Sequence, residues 1–179
     1  MDTESYYIEL PLLFCNKQKV IQETQSLEWS PFQKATGHTG NYFDKVDHWL
    51  VAYIDDPEPY EEIYRIYNII EYVTESADLR VRLYRQKKDT EIPYHKDLNT
   101  KAGVNLIIND NAGPITFEDI GDVQYERIVM NNQQMHMIKK YPAERILLKY
   151  SIFDLEWETV RDRLSIFKNV THTNAKVVH

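Results

Sequence analysis

Hydrophobic and polar residues alternate along much of the chain from residue 79 onward. The alternation begins in LRVRLYRQK (79–87), and a period of two is typical of strands whose two faces meet different surroundings. Further strands are predicted at residues 92–97, 102–108, 114–119, 123–129, 133–140 and 144–153. Turn residues separate these segments at intervals of roughly 8–12 residues, which indicates an antiparallel barrel or sandwich.

Two segments have the longer period of a helix. The sequence DDP (55–57) offers capping carboxylates and a proline, which are favoured where a helix begins. Ile63, Ile66 and Ile70 follow at the spacing of one buried helical stripe. A second helix is predicted over residues 155–167, packed on the outside of the strands.

We predict a single domain over residues 1–179, since no internal repeat or Ser/Gly-rich linker divides the chain. Residues 1–78 are expected to form peripheral strands and a supporting helix. Residues 79–153 are expected to form the strand-rich core, and residues 154–179 a C-terminal helix and a frayed tail.

Composition narrows the class of protein. Hydrophobic residues make up 42% of the chain and charged residues 27%, which is ordinary globular usage. The single cysteine, Cys15, excludes an intramolecular disulfide. The start MDTESYYIEL lacks the basic and apolar regions of a secretory signal. Because no apolar run approaches the roughly 20 residues that span a bilayer, we expect a soluble, cytoplasmic protein without a membrane partner.

The charge balance argues against nucleic acid as a partner. The chain has 21 Lys+Arg against 28 Asp+Glu, a net charge of −7, whereas proteins that grip phosphate backbones usually carry the opposite sign. The densest basic run, RVRLYRQKK (80–88), is interrupted by apolar residues and fits one face of a strand.

Three of the predicted strands carry a polar face. Arg82, Tyr84 and Gln86 share one face of the first strand, and Asn105 and Arg145 belong to the polar faces of two later strands. If helices cover the apolar faces, these polar faces enclose a cavity. The alternative is that they meet water, as in most half-exposed antiparallel sheets.

The candidate chemistry begins with His95-Lys96-Asp97 at the end of a strand. Residues i and i+2 share a face about 6.6 Å apart, so an imidazole and a carboxylate can converge on one ion. His136 lies in a second strand, and two histidines with one carboxylate form the facial triad of non-haem Fe(II) sites. The alternatives are a hydrogen-bonded surface pair at His95 and Asp97, and a buried neutral imidazole at His136.

Arg145 follows His136 by nine residues and introduces a fixed charge into a mostly apolar strand. A four-residue hairpin loop between their strands would place Arg145 opposite Ile138, on the same face as His136. An arginine that faces an open iron site needs an anion, which an external dicarboxylate can supply. The alternative partner is a neighbouring carboxylate, that of Glu144 or Glu126.

The order His-x-Asp, distal His, then Arg resembles the Fe(II)/2-oxoglutarate-dependent oxygenases over residues 82–151. The run IPYHKDLNTKAGVNLIINDNAGPITFED (92–119) is most similar to the aspartyl/asparaginyl β-hydroxylase-like branch of that superfamily. The resemblance implies a mainly β fold, a double-stranded β-helix (a jelly-roll or cupin-like barrel) with flanking α-helices.

The resemblance also implies a role for each candidate residue. The ligands of Fe(II) would be His95, Asp97 and His136. Arg145 would pair with the distal carboxylate of the cosubstrate 2-oxoglutarate, and Asn105 and Tyr84 would contact the cosubstrate or the substrate. Arg82 and Gln86, on the same polar face as Tyr84, are the candidate substrate-binding residues.

The implied activity is that of a dioxygenase that converts 2-oxoglutarate to succinate and CO2 while it oxidises a substrate. The carboxylate ligand Asp97 favours hydroxylation over the halogenation seen where a small residue replaces the acid. The substrate is expected to be a small molecule, a peptide or a protein, and the oligomeric state stays open. Two rival functions are a cupin-like metalloenzyme that does not use 2-oxoglutarate and a non-catalytic barrel that only binds.

Overall fold

The computed structural model describes residues 3–32, 48–97 and 99–168. The α-helices are α1 (Lys17–Glu23), α2 (Glu61–Thr74) and α3 (Trp157–Leu164), with short 3-10 helices at Thr3–Ser5, Leu12–Phe14 and Ser165–Phe167. The strands are β1 (Tyr7–Glu9), β2 (Ser30–Pro31), β3 (Trp49–Ile54), β4 (Leu79–Gln86), β5 (Ile92–His95), β6 (Ala102–Ile107), β7 (Ile115–Phe117), β8 (Gly121–Val123), β9 (Arg127–Asn131), β10 (His136–Ile138) and β11 (Arg145–Ile152).

These strands form two antiparallel sheets. The larger has seven strands in the order β1-β9-β6-β11-β4-β3-β2, and the smaller has four in the order β5-β10-β7-β8. From β4 onward the chain passes back and forth between them, so that β4, β6, β9 and β11 alternate with strands of the smaller sheet. This interleaving is that of a double-stranded β-helix, and the predicted fold class is confirmed.

Helices cover the outer face of the seven-stranded sheet. Ile63, Ile66 and Ile70 of α2 are fully buried and share one apolar cluster with Leu83 of β4 and Leu148 of β11. These strand residues are the apolar positions of the alternating pattern. Because successive side chains of a strand point to opposite faces, burial against the helices turns the polar positions toward the smaller sheet.

The inner face of the same sheet packs against the smaller sheet. Ile107, Ile128 and Leu147 share a second apolar cluster with Ile115 and Phe117 of β7. Beside this cluster, polar residues of β4, β6 and β11 line a cavity. The prediction that the polar strand faces enclose a cavity, rather than meet water, is therefore confirmed.

The start of helix α2 differs from the prediction. The helix begins at Glu61, with Tyr60 as its N-cap, and not at residues 55–57. The carboxylate of Asp56 accepts a hydrogen bond from the backbone N–H of Glu58 at 3.0 Å, which forms a turn before the helix. Asp and Pro are favoured in turns as well as at helix starts, and here they form the turn.

Two predicted strand features are wrong. Residues 123–129 are not one strand, because β8 ends at Val123 and β9 begins at Arg127 in the other sheet. The hairpin between β10 and β11 does not exist either, since β10 pairs with β5 and β7 while β11 pairs with β4 and β6. Both errors have one cause: the chain changes sheets where a simple meander would continue.

Among the helices that the structure describes, none is long and apolar enough to cross a membrane. The frayed tail predicted for residues 169–179 lies outside the described residues.

Candidate functional site

Two histidines of the smaller sheet stand side by side at one end of the cavity. His95 is the last residue of β5 and His136 the first of β10, and the antiparallel register makes the two Cα partners. Their ring centroids lie 4.4 Å apart. Asp97 follows His95 by two residues, so the strand end carries its carboxylate to the same place.

The three side chains offer their ligand atoms to one point. One oxygen or nitrogen from each of His95, Asp97 and His136 lies within 4.8 Å of the others. Oδ1 of Asp97 lies 3.6 Å from Nε2 of His95 and 3.9 Å from Nε2 of His136. Two imidazoles and one carboxylate on one side of a centre leave its other positions open, which fits the facial triad of Fe(II).

Backbone carbonyls set the tautomer of both histidines. Nδ1 of His95 lies 2.8 Å from the carbonyl oxygen of Pro93, and Nδ1 of His136 lies 2.8 Å from that of Gln134. A carbonyl oxygen only accepts, so each Nδ1 donates and each Nε2 keeps its lone pair for a metal. Burial lowers the pKa of His136 to about 4, which keeps this imidazole neutral near pH 7.

The second carboxylate oxygen of Asp97 is held from behind. Nζ of Lys149 donates to Oδ2 at 2.6 Å, and the side-chain amide of Asn132 donates to the same oxygen. Burial alone would raise the pKa of Asp97, but the charge and hydrogen bond of Lys149, together with the two neighbouring histidines, outweigh it and hold the pKa well below its usual value. Oδ1 is thereby left facing the two histidines. Neither Lys149 nor Asn132 was predicted from the sequence to have a role.

Gly103 leaves room for this support. A Cβ at Gly103 would lie 2.9 Å from Oδ1 of Asn132 and 3.0 Å from Cε of Lys149. We predict that Gly103→Ala pushes both side chains away from Asp97 and weakens metal binding by about 10–100-fold, the usual cost of disturbing a group that orients a ligand. Calorimetric titration with Mn²⁺ measures the effect.

The control is Ser151→Ala, which changes the cross-strand neighbour of Gly103 on β11 without adding a carbon. It should bind Mn²⁺ like the wild type. Unchanged metal affinity in Gly103→Ala would show that the support of Asp97 does not matter for the metal.

Arg145 stands at the other end of the same cavity and is 4% exposed. Its guanidinium donates to the carbonyl oxygen of Gly113 at 2.7 Å and to the hydroxyl of Tyr125, while its Nε has no hydrogen-bond partner. The two alternative partners are engaged elsewhere, because Glu144 pairs with Arg85, and Glu126 with Lys17 and Arg127.

No carboxylate among the residues that the structure describes forms an ion pair with Arg145. A buried cation without a counter-charge is costly. The other buried arginine in the described part of the chain, Arg127, has Glu126 at 2.6 Å. Arg145 is therefore a candidate to bind an external anion.

The cavity between these two ends has a volume of about 820 Å³. Arg82, Tyr84 and Asn105 line it as predicted. Oδ1 of Asn105 is buried without a hydrogen-bond partner, which makes this amide a second group available to a ligand. Gln86 does not reach the cavity: it is buried, and its amide donates to the carbonyl oxygen of Thr90 at 2.9 Å.

Comparisons with solved structures identify the fold. A prolyl hydroxylase from Trichoplax adhaerens, in complex with a peptide fragment of the hypoxia inducible factor oxygen degradation domain, superposes with a TM-score of 0.66 at 16% identity, over 90% of this chain and 87% of that one. An oxidoreductase of the 2OG-Fe(II) oxygenase family from Burkholderia pseudomallei gives 0.55 at 14% identity, over 81% and 82%.

A viral collagen prolyl hydroxylase from Paramecium Bursaria Chlorella virus-1, in its 2OG complex, gives a TM-score of 0.55 at 11% identity, over 82% of this chain and 95% of that one. No family model and no curated protein matches the chain. The fold is that of 2OG-Fe(II) oxygenase structures. None of these three is described as an aspartyl/asparaginyl hydroxylase, so the narrower resemblance stays a prediction.

Proposed function

We propose that the chain is an Fe(II)- and 2-oxoglutarate-dependent dioxygenase, most simply a hydroxylase. The observation that carries the proposal is the pairing of two incomplete sites in one cavity. A cluster of His95, Asp97 and His136 lies at one end, and the buried Arg145, without a counter-charge among the described residues, lies at the other. The cluster is suited to bind a metal ion, and Arg145 is suited to bind an anion.

In this proposal His95, Asp97 and His136 hold Fe(II), and Arg145 binds the distal carboxylate of 2-oxoglutarate. When bound, the iron and 2-oxoglutarate would activate O2, with one oxygen atom incorporated in succinate, which forms together with CO2, and the other in the oxidised substrate. The chain supplies the positions. Tyr125 and Gly113 orient the guanidinium of Arg145, and the free Oδ1 of Asn105 accepts a hydrogen bond from a ligand or from water.

The wall beside these groups is aromatic. Tyr84 packs between Phe32 and Trp49, with ring centroids 5.7 and 5.5 Å away. By the strand register Tyr84 lies between the levels of Arg82 and Arg145, so this wall limits the access of water to the stretch of cavity between the metal cluster and Arg145. Tyr84 is therefore proposed to contact the cosubstrate or the substrate, and Arg82, farther along the same strand, to contact the substrate.

The substrate is proposed to be a small molecule or a peptide. The Trichoplax relative in fold was solved with a peptide fragment bound, so a cavity of this architecture admits a peptide chain. Within the superfamily, the run at 92–119 still favours the aspartyl/asparaginyl β-hydroxylase-like branch as the finer assignment. Nucleic acid is not proposed as a substrate, given the net charge of −7.

The rival functions make different use of Arg145. A cupin-like metalloenzyme without 2-oxoglutarate leaves this buried cation unexplained, and a non-catalytic barrel leaves the metal cluster unexplained as well. The geometry therefore favours the oxygenase over both.

The test is succinate formation from 2-oxoglutarate by the Fe(II)-loaded protein, measured across pools of peptides and metabolites. We expect slow succinate release without substrate and faster release with a pool that contains one. If Fe(II) is shown to be bound and no succinate forms under any condition, the result would contradict the oxygenase proposal and favour the cupin-like metalloenzyme.

A further inference from the structure

The described charged residues around the cavity are mostly basic. Among the lining residues that the structure describes, five are basic and one, Asp97, is acidic, although the chain as a whole has a net charge of −7. The basic residues are Arg80, Arg82, Lys96, Arg145 and Lys149. A cavity lined in this way raises the local concentration of anions.

Two of these cations have carboxylate partners among the described residues. Lys149 pairs with Asp97 at 2.6 Å, and Arg80 pairs with Asp78 at 2.7 Å. Arg145 lies at the far end, where the proposed function assigns it to 2-oxoglutarate. Lys96 is exposed to solvent. Arg82 differs from these four, because it is half-buried and forms no ion pair with a described residue.

Arg82 stands in a row of residues that crosses the inner face of the sheet. The register aligns Tyr53, Arg82, Lys149 and Asn105 on β3, β4, β11 and β6. The guanidinium of Arg82 lies 4.9 Å from the ring centroid of Tyr53, and its nearest polar side-chain contact is the hydroxyl of Tyr84 at 3.5 Å. Its fork of N–H donors is therefore mostly unused.

Like charges directly opposite each other on a sheet are destabilising. Arg82 and Lys149 are such a pair, since their Cα positions are cross-strand partners and both line the cavity. Asp97 compensates Lys149, but no described carboxylate compensates Arg82. An anion bound between Arg82 and the open cavity would reduce this repulsion.

The position of Arg82 separates this anion from the cosubstrate. Arg82 is level with Lys149, and hence with the carboxylate of Asp97, whereas Arg145 lies four residues earlier on β11. That is about 13 Å along the strand. The two arginines therefore lie at different levels of the cavity, Arg82 beside the proposed metal centre and Arg145 farther along the sheet.

We propose that the substrate carries an oxyanion, which the guanidinium of Arg82 binds while the bond to be oxidised lies near His95 and His136. This inference rests on the proposed function, because it takes the metal centre as the reaction site. Arg82 is assigned as a specificity-determining residue. The guanidinium fork suits a carboxylate and a phosphate alike, so the experiment has an arm for each.

The experiment measures binding with two matched pairs of probes. One pair is N-acetylglutamate methylamide and N-acetylglutamine methylamide, and the other is N-acetyl-O-phosphoserine methylamide and N-acetylserine methylamide. The protein is loaded with Zn²⁺, which does not turn over, and saturated with 2-oxoglutarate. Dissociation constants come from NMR titration that follows the side-chain Nε–H signal of Arg82.

We expect the acidic member of at least one pair to bind about tenfold more tightly than its neutral partner, the size of one charge-assisted contact. The pair with the larger ratio identifies the anion as carboxylate or phosphate. Arg82→Gln should abolish the difference, measured by the shift of the probe's own signals, and Arg82→Lys should keep part of it.

The matched control is Arg85→Gln, the same substitution on the same strand, at a residue that pairs with Glu144 and does not line the cavity. It should keep the preference for the acidic probes. Equal binding of acidic and neutral probes, no binding of any probe, or a preference that survives Arg82→Gln would overturn the inference.

Failure of the proposed function is visible separately. If the Zn²⁺-loaded protein does not bind 2-oxoglutarate, the dioxygenase proposal fails. The same probe titration on metal-free protein then still shows whether Arg82 binds an oxyanion.

Discussion

Asp97→Ala is expected to abolish Fe(II) binding and to destabilise the protein at the same time. The substitution removes one of three ligands, so the loss of affinity should exceed the roughly 10–100-fold effect of disturbing a supporting group. It also removes the carboxylate that neutralises Lys149. Breaking a buried ion pair costs about 3–5 kcal/mol, and we expect the lower end of that range because 22% of the Asp97 side chain is exposed.

Thermal unfolding with and without metal measures both effects. A ligand present at 100 times its dissociation constant stabilises the native state by about 2.7 kcal/mol, and this gain should be present in the wild type and absent in Asp97→Ala. A double variant that combines Asp97→Ala with Lys149→Met also removes the unpaired charge of Lys149. It should recover most of the lost stability and none of the metal binding.

The double variant distinguishes a ligand from a structural carboxylate. If Asp97 serves only to neutralise Lys149, the double variant binds Fe(II) as the wild type does. Full turnover in Asp97→Ala would overturn the metal assignment directly.

Arg145→Gln is expected to raise the dissociation constant of 2-oxoglutarate while Fe(II) affinity stays unchanged. Truncating one partner of a buried charge pair costs about 2–5 kcal/mol, which corresponds to roughly 30-fold to several thousand-fold in affinity. Glutamine keeps part of the hydrogen bonding near Gly113 and Tyr125 but supplies no charge. Calorimetric titration of the Zn²⁺-loaded protein with 2-oxoglutarate gives the constant.

The control for Arg145 is again Arg85→Gln, which removes an arginine of the same sheet that pairs with Glu144 at 2.8 Å. It should bind 2-oxoglutarate normally. Unchanged cosubstrate affinity in Arg145→Gln would mean that the buried guanidinium has a structural role. That result would favour the cupin-like metalloenzyme over the oxygenase.

The alternation of polar and apolar residues was sufficient to predict much of the fold. Leu83 and Leu148 lie under the helices and Arg82 and Arg145 face the cavity, because a period of two leaves each strand only two orientations. The crossings between sheets were not predictable in this way. Residues 123–129 have the pattern of one strand, yet the chain leaves one sheet and joins the other within them.

Arg145 shows how a correct position can follow from a wrong register. The predicted hairpin set it opposite Ile138, whereas its observed partner is Gln86 on β4. Its inward orientation survives because it depends on the alternation along β11 and not on the neighbouring strand. The side chain of Gln86 instead donates to the carbonyl oxygen of Thr90, a contact that the alternation along β4 does not predict.

The groups that orient the candidate ligands were missed for a different reason. Asn132 and Lys149 reach Asp97 from 35 and 52 residues away, and no local pattern records such contacts. A signal existed for Lys149, a lysine on the same strand face as Arg145 in an otherwise apolar strand. Charged residues on an inward face call for a partner, and Asp97 was the available carboxylate.

The central claim is that the histidine and aspartate cluster and Arg145 form one Fe(II)/2-oxoglutarate site. Its most direct test is an anaerobic titration of the Fe(II)-loaded protein with 2-oxoglutarate, followed by visible absorption. We predict a weak charge-transfer band in the wild type, which is absent from Asp97→Ala and from Arg145→Gln at the concentration that saturates the wild type. Fe(II) binding without any such band at saturating 2-oxoglutarate would contradict the claim.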